Sequence, residues 1–430
     1  MTLRDLIATT DLTTRRGFLG GLAASAFGLR AAMLPQDPQP AAPFVKSRAR
    51  ARSVIYCFLR GGMSHIDTLD PKPGCKTQGP VEAVRTRADG VLLGQYFQKL
   101  AEQMDKVCVV SSLTSNQGAH PQAQYLMRTS FEKRGTIQHA SLGAWANRLL
   151  GTHNASLPGH VLIGGAADMP TAGFFPPEFA ALPSGDAAAG LQNAARPDGV
   201  TEPQFRRRLE RLAQLDRTFG ERFRQRDVQA YGDAYTAAVR LMRSKDVSAF
   251  DIDGEPDTIK TAYGDTDFGH GCLLARRLVE HGVRYVEITS DGWDTHADNF
   301  DRLADLTPAI DQGLTALLAD LQARGLLDET LVVLASEFGR TPDIDQDQGR
   351  NHYPKAFSAL LAGGGVIGGQ RYGSTDSEGR EVETDAVSIQ DFNATIAYAL
   401  GLPLDHVVTS PSGRPFKVAD KGEPITAILS

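Results

Sequence analysis

The segment SDGWDTHADNF, residues 290–300, concentrates side chains that can bind a metal ion. Asp294 and His296 stand two positions apart in it, directly after the apolar run VRYVEIT. Imidazole and carboxylate together suit Zn²⁺, Mn²⁺ or iron, whereas Mg²⁺ and Ca²⁺ prefer oxygen ligands alone. We therefore predict that Asp294 and His296 bind a divalent metal ion, with Zn²⁺ or Mn²⁺ as the first choices. The neighbouring Trp293 is expected to pack beside the loop.

Other polar groups follow other apolar runs that are typical of buried strands. These groups are His65, Asp67, His120, Glu337, Arg340 and His352. In open parallel sheets, ligands bind beyond the carboxyl ends of the strands, so these distant groups should meet at one edge. The predicted metal ligands are His65, Asp67, Asp294, His296, Glu337 and His352. A purely structural polar cluster is the alternative, and the number of metal ions stays open.

Hydroxyl groups near the same edge could supply a nucleophile. Ser111, Ser112 and Thr114 end the run KVCVVSSL or follow it, close to a predicted helix that begins near His120. Backbone amides at a helix start favour an anion, so Ser112, Thr114 and His120 are candidate catalytic residues. Arg340 is the candidate partner of an oxyanion, because its planar fork binds such groups bidentately. The alternative for the hydroxyls is a strand-end or capping role.

These residues require a sheet that positions them. Strands are predicted at 53–59, 106–113, 283–289, 330–339 and 356–364, with a short strand in PGHVLIGG. Helices are predicted from about residue 202 to 243, at 268–282, from the WDTH loop to Gly325, and at 391–401. Strands that alternate with helices in this way predict an α/β fold with a largely parallel sheet.

Two other sequence patterns are predicted to have no dinucleotide-binding or metal-binding role. GGGVIG at 363–368 matches a dinucleotide-binding pattern, but GQRYGSTDSEG follows it and cannot begin the required helix. The four cysteines include no CxxC pair, and we predict that they are structural and bind no metal.

Composition and net charge indicate which broad class of protein this sequence encodes. The chain has 430 residues, of which 41% are hydrophobic and 22% charged, and its net charge is −6. These values are typical of a soluble globular protein and predict no nucleic-acid partner. The basic stretch RRRLERLAQLDR is expected to be the solvated face of a helix, with an anion-binding patch as the alternative.

The N-terminal segment TTRRGFLGGLAASAFGLRAAM predicts a twin-arginine export signal, with the twin-arginine translocase as a partner. Its apolar run is shorter than the ~20 residues that span a bilayer, so no stable membrane anchor is expected. Residues 1–42 are assigned to the signal and a Pro-rich leader. Residues 43–430 are assigned to a single domain with a loop-rich and helical insertion at about 151–262. The expected location is periplasmic or extracellular.

Five blocks of the sequence resemble a known family. The blocks are GGMSHIDTLDPKPG, WDTHADNF, LLDETLVVLASEFGRTP, GRNHYPKAFSALLAGGG and STDSEGREV. They are similar, in order, to secreted bacterial proteins grouped as domain of unknown function 1501. The resemblance implies a remote branch of the alkaline phosphatase and sulfatase superfamily, and hence an α/β/α sandwich with metal ions at the strand ends.

The match to the superfamily's metal ligands is partial. Asp294 with His296, and His352, correspond to superfamily positions. The first strand ends in RGG, so His65 or Asp67 would have to replace the aspartate expected there. No sequence with the sulfatase nucleophile pattern, Cys or Ser followed by x-Pro-x-Arg, is present.

Two functions are compatible with these observations. The first is an exported metal-dependent hydrolase that acts on phosphate or sulfate esters of an anionic small molecule or polysaccharide. The second is a non-catalytic member of the superfamily that acts as a binding or surface-assembly module. We expect the hydrolase, because the predicted ligands gather at the sheet edge where substrates bind.

Overall fold

We analysed a computed structural model of the chain. It describes residues 50–165, 171–191, 199–222 and 238–430. The predicted export signal and leader, residues 1–42, therefore lie outside the described residues, as does part of the helix predicted from 202 to 243.

A nine-stranded sheet forms the centre of the described chain. Its strands are β1 Ser53–Leu59, β2 Val107–Thr114, β3 His160–Ile163, β4 Leu182–Gly185, β5 Tyr285–Ser290, β6 Thr330–Ala335, β7 Phe357–Ala362, β8 Gln370–Tyr372 and β9 Val387–Ser388. The order across the sheet is β8-β2-β7-β6-β1-β5-β3-β4, and β9 pairs with β2. Only β7 runs antiparallel to its neighbours, β2 and β6, within this sheet. The prediction of a largely parallel sheet is confirmed.

Helices cover both faces of the sheet. They are α1 Gln98–Ala101, α2 His120–Thr129, α3 Leu142–Leu150, α4 Glu202–Arg222, α5 Asp257–Tyr263, α6 Asp267–Glu280, α7 Asn299–Ala323 and α8 Ile389–Ala399. Residues of β1 alternate between two cores: Ile55 and Cys57 pack with α6 and α7, whereas Val54 and Tyr56 pack on the side of α2, α3 and α8. Because successive side chains of a strand point to opposite faces, this alternation defines three layers and confirms the α/β class.

Smaller two-stranded hairpins form outside the central sheet. They pair Ala83–Arg85 with Leu92–Gly94, Gly339–Arg340 with His352–Tyr353, Ser374–Thr375 with Val382–Thr384, and Val408–Thr409 with Pro415–Phe416. The segment 151–262, predicted as an insertion, supplies β3 and β4 at one side of the sheet. The GGGVIG segment forms turns that lead to β8, not to a helix. Among the described residues, no helix is long and apolar enough to cross a membrane.

The three central strands end together. In the parallel register, Leu59 of β1 lies beside Ser290 of β5, and Phe58 lies beside Ala335 of β6. The loops that follow these strands therefore meet at one edge of the sheet, as the sequence predicts.

Two glycines make this meeting possible. Gly61 and Gly62 follow β1 with φ values of +127° and +89°, a region that L-residues rarely adopt. A Cβ atom on Gly61 would lie 2.4 Å from the backbone nitrogen of Asp294. Glycine is therefore required where the β1 and β5 loops touch, and it lets the WDTH loop approach β1 closely.

Candidate metal site

Four side chains from three parts of the chain meet at this edge. Asp294 and His296 lie in the loop after β5, His120 is the first residue of α2, and His352 belongs to the Gly339–Arg340 hairpin. The hairpin pairs His352 with Arg340, so the chain that leaves β6 returns directly to the site.

The Nε2 atoms of the three histidines converge on the Asp294 carboxylate. Nε2 of His296 and Nε2 of His352 lie 3.1 Å and 3.3 Å from Oδ1 of Asp294. Nε2 of His120 lies 3.3 Å from Oδ2. The Nε2 atoms of His296 and His352 are 2.9 Å apart. We call His120, Asp294, His296 and His352 the His/Asp cluster.

Each histidine of the cluster has an oxygen acceptor at its other ring nitrogen. Nδ1 lies 2.7 Å from Glu337 Oε1 in His120, 2.9 Å from Asn351 Oδ1 in His296, and 2.8 Å from the carbonyl of Gly118 in His352. These oxygens can only accept, so each Nδ1 carries the proton of the neutral imidazole. In the neutral form of each ring, Nε2 then keeps a lone pair that points into the cluster.

Lone pairs in this arrangement are suited to binding a metal ion, because without one they would repel each other. Two imidazole lone pairs that face each other repel unless a cation lies between them, and Nε2 of His120 has no hydrogen-bond partner. In a tetrahedral site with metal–ligand bonds of about 2.0–2.1 Å, neighbouring ligand atoms lie roughly 3.3 Å apart. The distances from Nε2 of His120 and of His352 to the Asp294 carboxylate, 3.3 Å each, agree with this spacing. Within the described parts of the chain, His120, Asp294 and His352 are the one group of metal-competent side chains whose ligand atoms lie within 4.8 Å of one another.

Glu337, a predicted ligand, lies behind the cluster. Its carboxylate is buried and accepts from Nδ1 of His120, from Nε2 of Gln124 at 3.0 Å and from the amide of Gly61 at 3.0 Å. Burial alone would raise the pKa of Glu337, but the hydrogen bonds from His120 and Gln124 lower it. An ionised carboxylate in this position fixes the ring of His120 and makes its Nε2 more basic. Glu337 is therefore a positioning residue for His120.

Arg340, the predicted partner of a substrate oxyanion, is directed at the protein instead. Its guanidinium is fully buried and donates to Oδ1 of Asp294. Burial alone would raise the pKa of Asp294, but the hydrogen bond and charge of Arg340 lower it to about 2. Asp294 is thus ionised at every physiological pH, as a metal ligand must be.

The pKa values of His120 and His352 are shifted in opposite directions. The hydrogen bond to Glu337 raises the pKa of His120. Burial lowers the pKa of His352, and the nearby charge of Arg340 acts in the same direction. His352 is therefore neutral and ready to bind a metal ion, whereas a proton competes with a metal ion for His120.

His65 and Asp67, also predicted as ligands, have other hydrogen-bond partners in the described chain. Asp67 is fully buried and forms a two-oxygen pair with Arg350, at 2.8 Å and 2.9 Å. It also accepts from Ser64 and Asn299. Four donors thus saturate the Asp67 carboxylate.

His65 is completely buried and its Nε2 lies 2.8 Å from the carbonyl of Gly379. Burial lowers the pKa of His65, so its imidazole is a neutral packing group of the core. His65 is not part of the group formed by His120, Asp294 and His352, the one such group among the residues that the structure describes.

The predicted hydroxyl nucleophiles also have structural roles. Ser112 is buried and donates to the carbonyl of Asp385 at 2.6 Å. Thr114 is the last residue of β2 and pairs with Ser388 of β9. The structure brings His120, Asp294, His296 and His352 together, with Glu337 and Arg340 in direct contact, and leaves Ser112 and Thr114 in the sheet.

Sequence reasoning missed the residues that orient the ligands. Gln124 lies one turn after His120 on α2, and a spacing of four on a helix could have indicated it. Asn351 precedes His352 and belongs to the GRNHYP block; its Nδ2 lies 3.4 Å from Asp345, which turns its Oδ1 toward His296. No sequence signal marks the carbonyl of Gly118. Trp293 is buried in the core and donates to Ser290 at 3.3 Å, as expected for a packing residue.

Comparison with family models places the chain in a known family. The model of a family described as "Protein of unknown function (DUF1501)" matches residues 51–429. A comparison with curated proteins finds no match.

Solved structures with a similar arrangement include three that differ widely from this chain in sequence. The PsFucS1 sulfatase from Pseudoalteromonas sp. is 13% identical, with 87% of this chain and 73% of that chain covered and a TM-score of 0.39. A protein in the alkaline phosphatase superfamily from Vibrio parahaemolyticus is 10% identical, with 92% and 76% covered and a TM-score of 0.38. The lipoteichoic acid synthase LtaP from Listeria monocytogenes is 8% identical, with 84% and 74% covered and a TM-score of 0.38.

Proposed function

The chain belongs to the DUF1501 family, and from this premise we propose that the protein is a metal-dependent hydrolase of phosphate or sulfate esters. One observation carries the proposal. The Nε2 atoms of three imidazoles lie within 3.3 Å of the oxygens of one carboxylate, in side chains that are about a quarter to a half exposed.

His120, Asp294, His296 and His352 would hold the metal ion. When bound, it would polarise an ester oxygen and lower the pKa of a water molecule. Mixed nitrogen and oxygen ligands favour Zn²⁺ or Mn²⁺ over Mg²⁺. Water is the nucleophile that the geometry favours, because the hydroxyl of Ser112 donates to a carbonyl elsewhere.

The protein's own residues would prepare the site for this chemistry. Glu337 keeps the proton of His120 on Nδ1, and Asn351 does the same for His296. Arg340 keeps Asp294 ionised and in place. Asp294 and His296 are about half exposed, with side-chain exposures of 46% and 47%, so an anionic ester can reach the ion from solvent.

The test combines metal uptake with ester hydrolysis. We would measure bound Zn²⁺ and Mn²⁺ by elemental analysis, and then hydrolysis of p-nitrophenyl phosphate and p-nitrophenyl sulfate. The variant is His296→Ala/His352→Ala, which leaves the Arg340–Asp294 contact intact. A matched control is His270→Ala, because His270 also pairs with an aspartate, Asp265 at 3.3 Å, but stands outside the cluster.

We expect near-stoichiometric metal in the parent and in the control, and at least about 100-fold weaker uptake in the double variant, since loss of even an outer-shell partner costs about 10–100-fold. A folded parent that takes up no metal would refute the proposal. A parent that binds metal but hydrolyses neither ester would favour the alternative, a binding or surface-assembly module.

Export by the twin-arginine translocase, to the periplasm or beyond, is part of the same proposal. It rests on Arg15 and Arg16 and the apolar run after them. An Arg15→Lys/Arg16→Lys variant should stay in the cytoplasm, which cell fractionation would show. Export of this variant at the parental level would contradict the pathway.

A further inference from the structure

The guanidinium of Arg340 makes more hydrogen bonds within the protein than that of a substrate-binding arginine would make. Its side chain is fully buried in the hairpin that faces His352. Nε donates to the carbonyl of Gly62 at 2.9 Å, and Nη1 donates to the carbonyl of Arg350 at 3.0 Å. Nη2 contacts the carbonyls of Gly61 and Trp293 and Oδ1 of Asp294.

These contacts tie together all three loops of the sheet edge. Gly61 and Gly62 follow β1, Trp293 and Asp294 follow β5, and Arg340 itself follows β6. The guanidinium thus has a permanent positive charge, a fixed position and no donor directed at solvent. It contacts Oδ1 of Asp294, the oxygen that also faces Nε2 of His296 and Nε2 of His352.

The carboxylate of Glu337, which contacts His120, already accepts several hydrogen bonds. Oε1 of Glu337 accepts from His120, Gln124 and Gly61, and Oε2 lies 3.2 Å from the amide of Gly61 and 3.2 Å from the hydroxyl of Ser336. Oε1 is therefore occupied by donors, one of which is His120 of the His/Asp cluster, and Oε2 also lies within reach of the Gly61 amide.

From this geometry we infer that the site holds a single metal ion and that Arg340 supplies the second positive charge. This inference rests on the proposed metal site and specifies its composition. Asp294 is shared between one guanidinium and one metal ion. A second divalent ion at Asp294 would meet the fixed charge of Arg340, with no further carboxylate among the described residues of the cluster to balance it. Arg340 is in this sense a positioning residue, not a ligand of the substrate.

The first experiment counts metal ions on the intact protein. Zn²⁺ would be titrated into metal-free protein by calorimetry, with and without inorganic phosphate, and bound metal would be counted after gel filtration. X-ray absorption of the loaded protein would follow. We expect one ion per chain, a scattering shell from imidazoles, and no metal–metal distance in the range of about 3.5–4 Å that two-metal sites show.

The result separates this inference from the proposed function. Two ions per chain, both lost in His296→Ala/His352→Ala, would overturn the inference but leave the metal site intact. No bound ion would refute the proposed function itself.

Two variants then test the role of charge. Arg340→Lys keeps the positive charge and should still bind one ion. Arg340→Gln removes the charge and releases Asp294 Oδ1, so we expect a second equivalent of Zn²⁺ to bind. Circular dichroism and thermal unfolding would establish that both variants are folded. If folded Arg340→Gln still binds a single ion, the charge of Arg340 is not what excludes the second, and the assignment fails. If Arg340→Gln does not fold, the ion count and absorption spectrum of the parent decide.

Discussion

Two of the aspartate–arginine pairs in the described chain, both near the same edge of the sheet, differ in what surrounds them. Asp67 and Arg350, which we call the buried pair, are both fully shielded, with side-chain exposures of 0%. Arg340 is also at 0%, but its partner Asp294 is 46% exposed. Solvent reaches neither side chain of the buried pair, but it reaches the aspartate of the Arg340–Asp294 pair.

Hydrogen-bond donors explain the contrast. Asp67 accepts from Arg350, Ser64 and Asn299, so its lone pairs are directed at hydrogens. Asp294 accepts from Arg340 and otherwise faces imidazole nitrogens that present lone pairs. The same residue types thus stabilise the loops in one place and leave a binding site for a cation in the other. Saturation by donors, not residue type, distinguishes a structural pair from a candidate site.

The largest expected effect concerns the stability of the buried pair. Asp67→Asn would leave the charge of Arg350 buried without a counter-charge, which costs about 3–5 kcal/mol. Chemical denaturation should show this loss of unfolding free energy. Metal affinity of the molecules that remain folded should be unchanged. A matched control is Asp405→Asn, whose exposed pair with Lys417 should contribute little. If the folded Asp67→Asn variant bound no metal, the conclusion that Asp67 is structural and only Asp294 serves the metal site would be wrong.

A smaller effect is expected from Glu337→Gln, which keeps the shape of the side chain but removes its charge. Loss of an outer-shell carboxylate should weaken Zn²⁺ binding about 10–100-fold. The pH dependence gives a second readout. The hydrogen bond to Glu337 raises the pKa of His120, so protons compete with the metal ion up to a higher pH in the parent. Affinity should rise with pH in both proteins, as the ligand loses its proton.

In Glu337→Gln the affinity should reach its plateau at lower pH than in the parent. Calorimetric titrations between pH 5.5 and about 8.5 would measure this, a window chosen around the ordinary histidine pKa. A uniform loss of affinity with an unmoved plateau would show that Glu337 only supports the fold.

The smallest effect is expected at the exposed rim of the cluster. Asn351→Ala removes the acceptor at Nδ1 of His296 and frees the ring to change tautomer. Because His296 is half exposed, we expect a loss of Zn²⁺ affinity of about tenfold, the low end for an outer-shell partner. Asn351→Asp retains an oxygen acceptor and should restore the affinity. Equal losses in both variants would mean that Asn351 does not act through His296.

Much of the architecture was predictable because it follows from local pattern. Continuous apolar runs marked β1, β2, β5, β6 and β7, and the alternation with helices indicated a parallel sheet. The antiparallel strand of the described central sheet, β7, was not distinguished, since a strand that is buried on both faces has the same apolar sequence in either direction. The predicted helix at 268–282 corresponds to α6 within two residues at its ends.

The candidate site was predictable only in part. The rule that ligands gather at strand ends selected Asp294, His296, His352 and His120. The same rule also selected Asp67 and His65, which follow β1 just as closely. Nothing local distinguishes Asp67 from Asp294, because the difference is Arg350, 283 residues away from Asp67 along the chain.

The sequence by itself determined the family, the α/β class, the strand-end positions and the chemical types of the side chains found there. Only the tertiary structure decided which carboxylates are saturated by donors and which imidazole nitrogens keep free lone pairs. It also decided that Arg340 is directed at Asp294 and four carbonyls rather than at solvent. The physical reason is that hydrogen-bond satisfaction depends on partners brought together from distant segments. Residue type determines which bonds a side chain can make, and the fold determines which of them remain unmade.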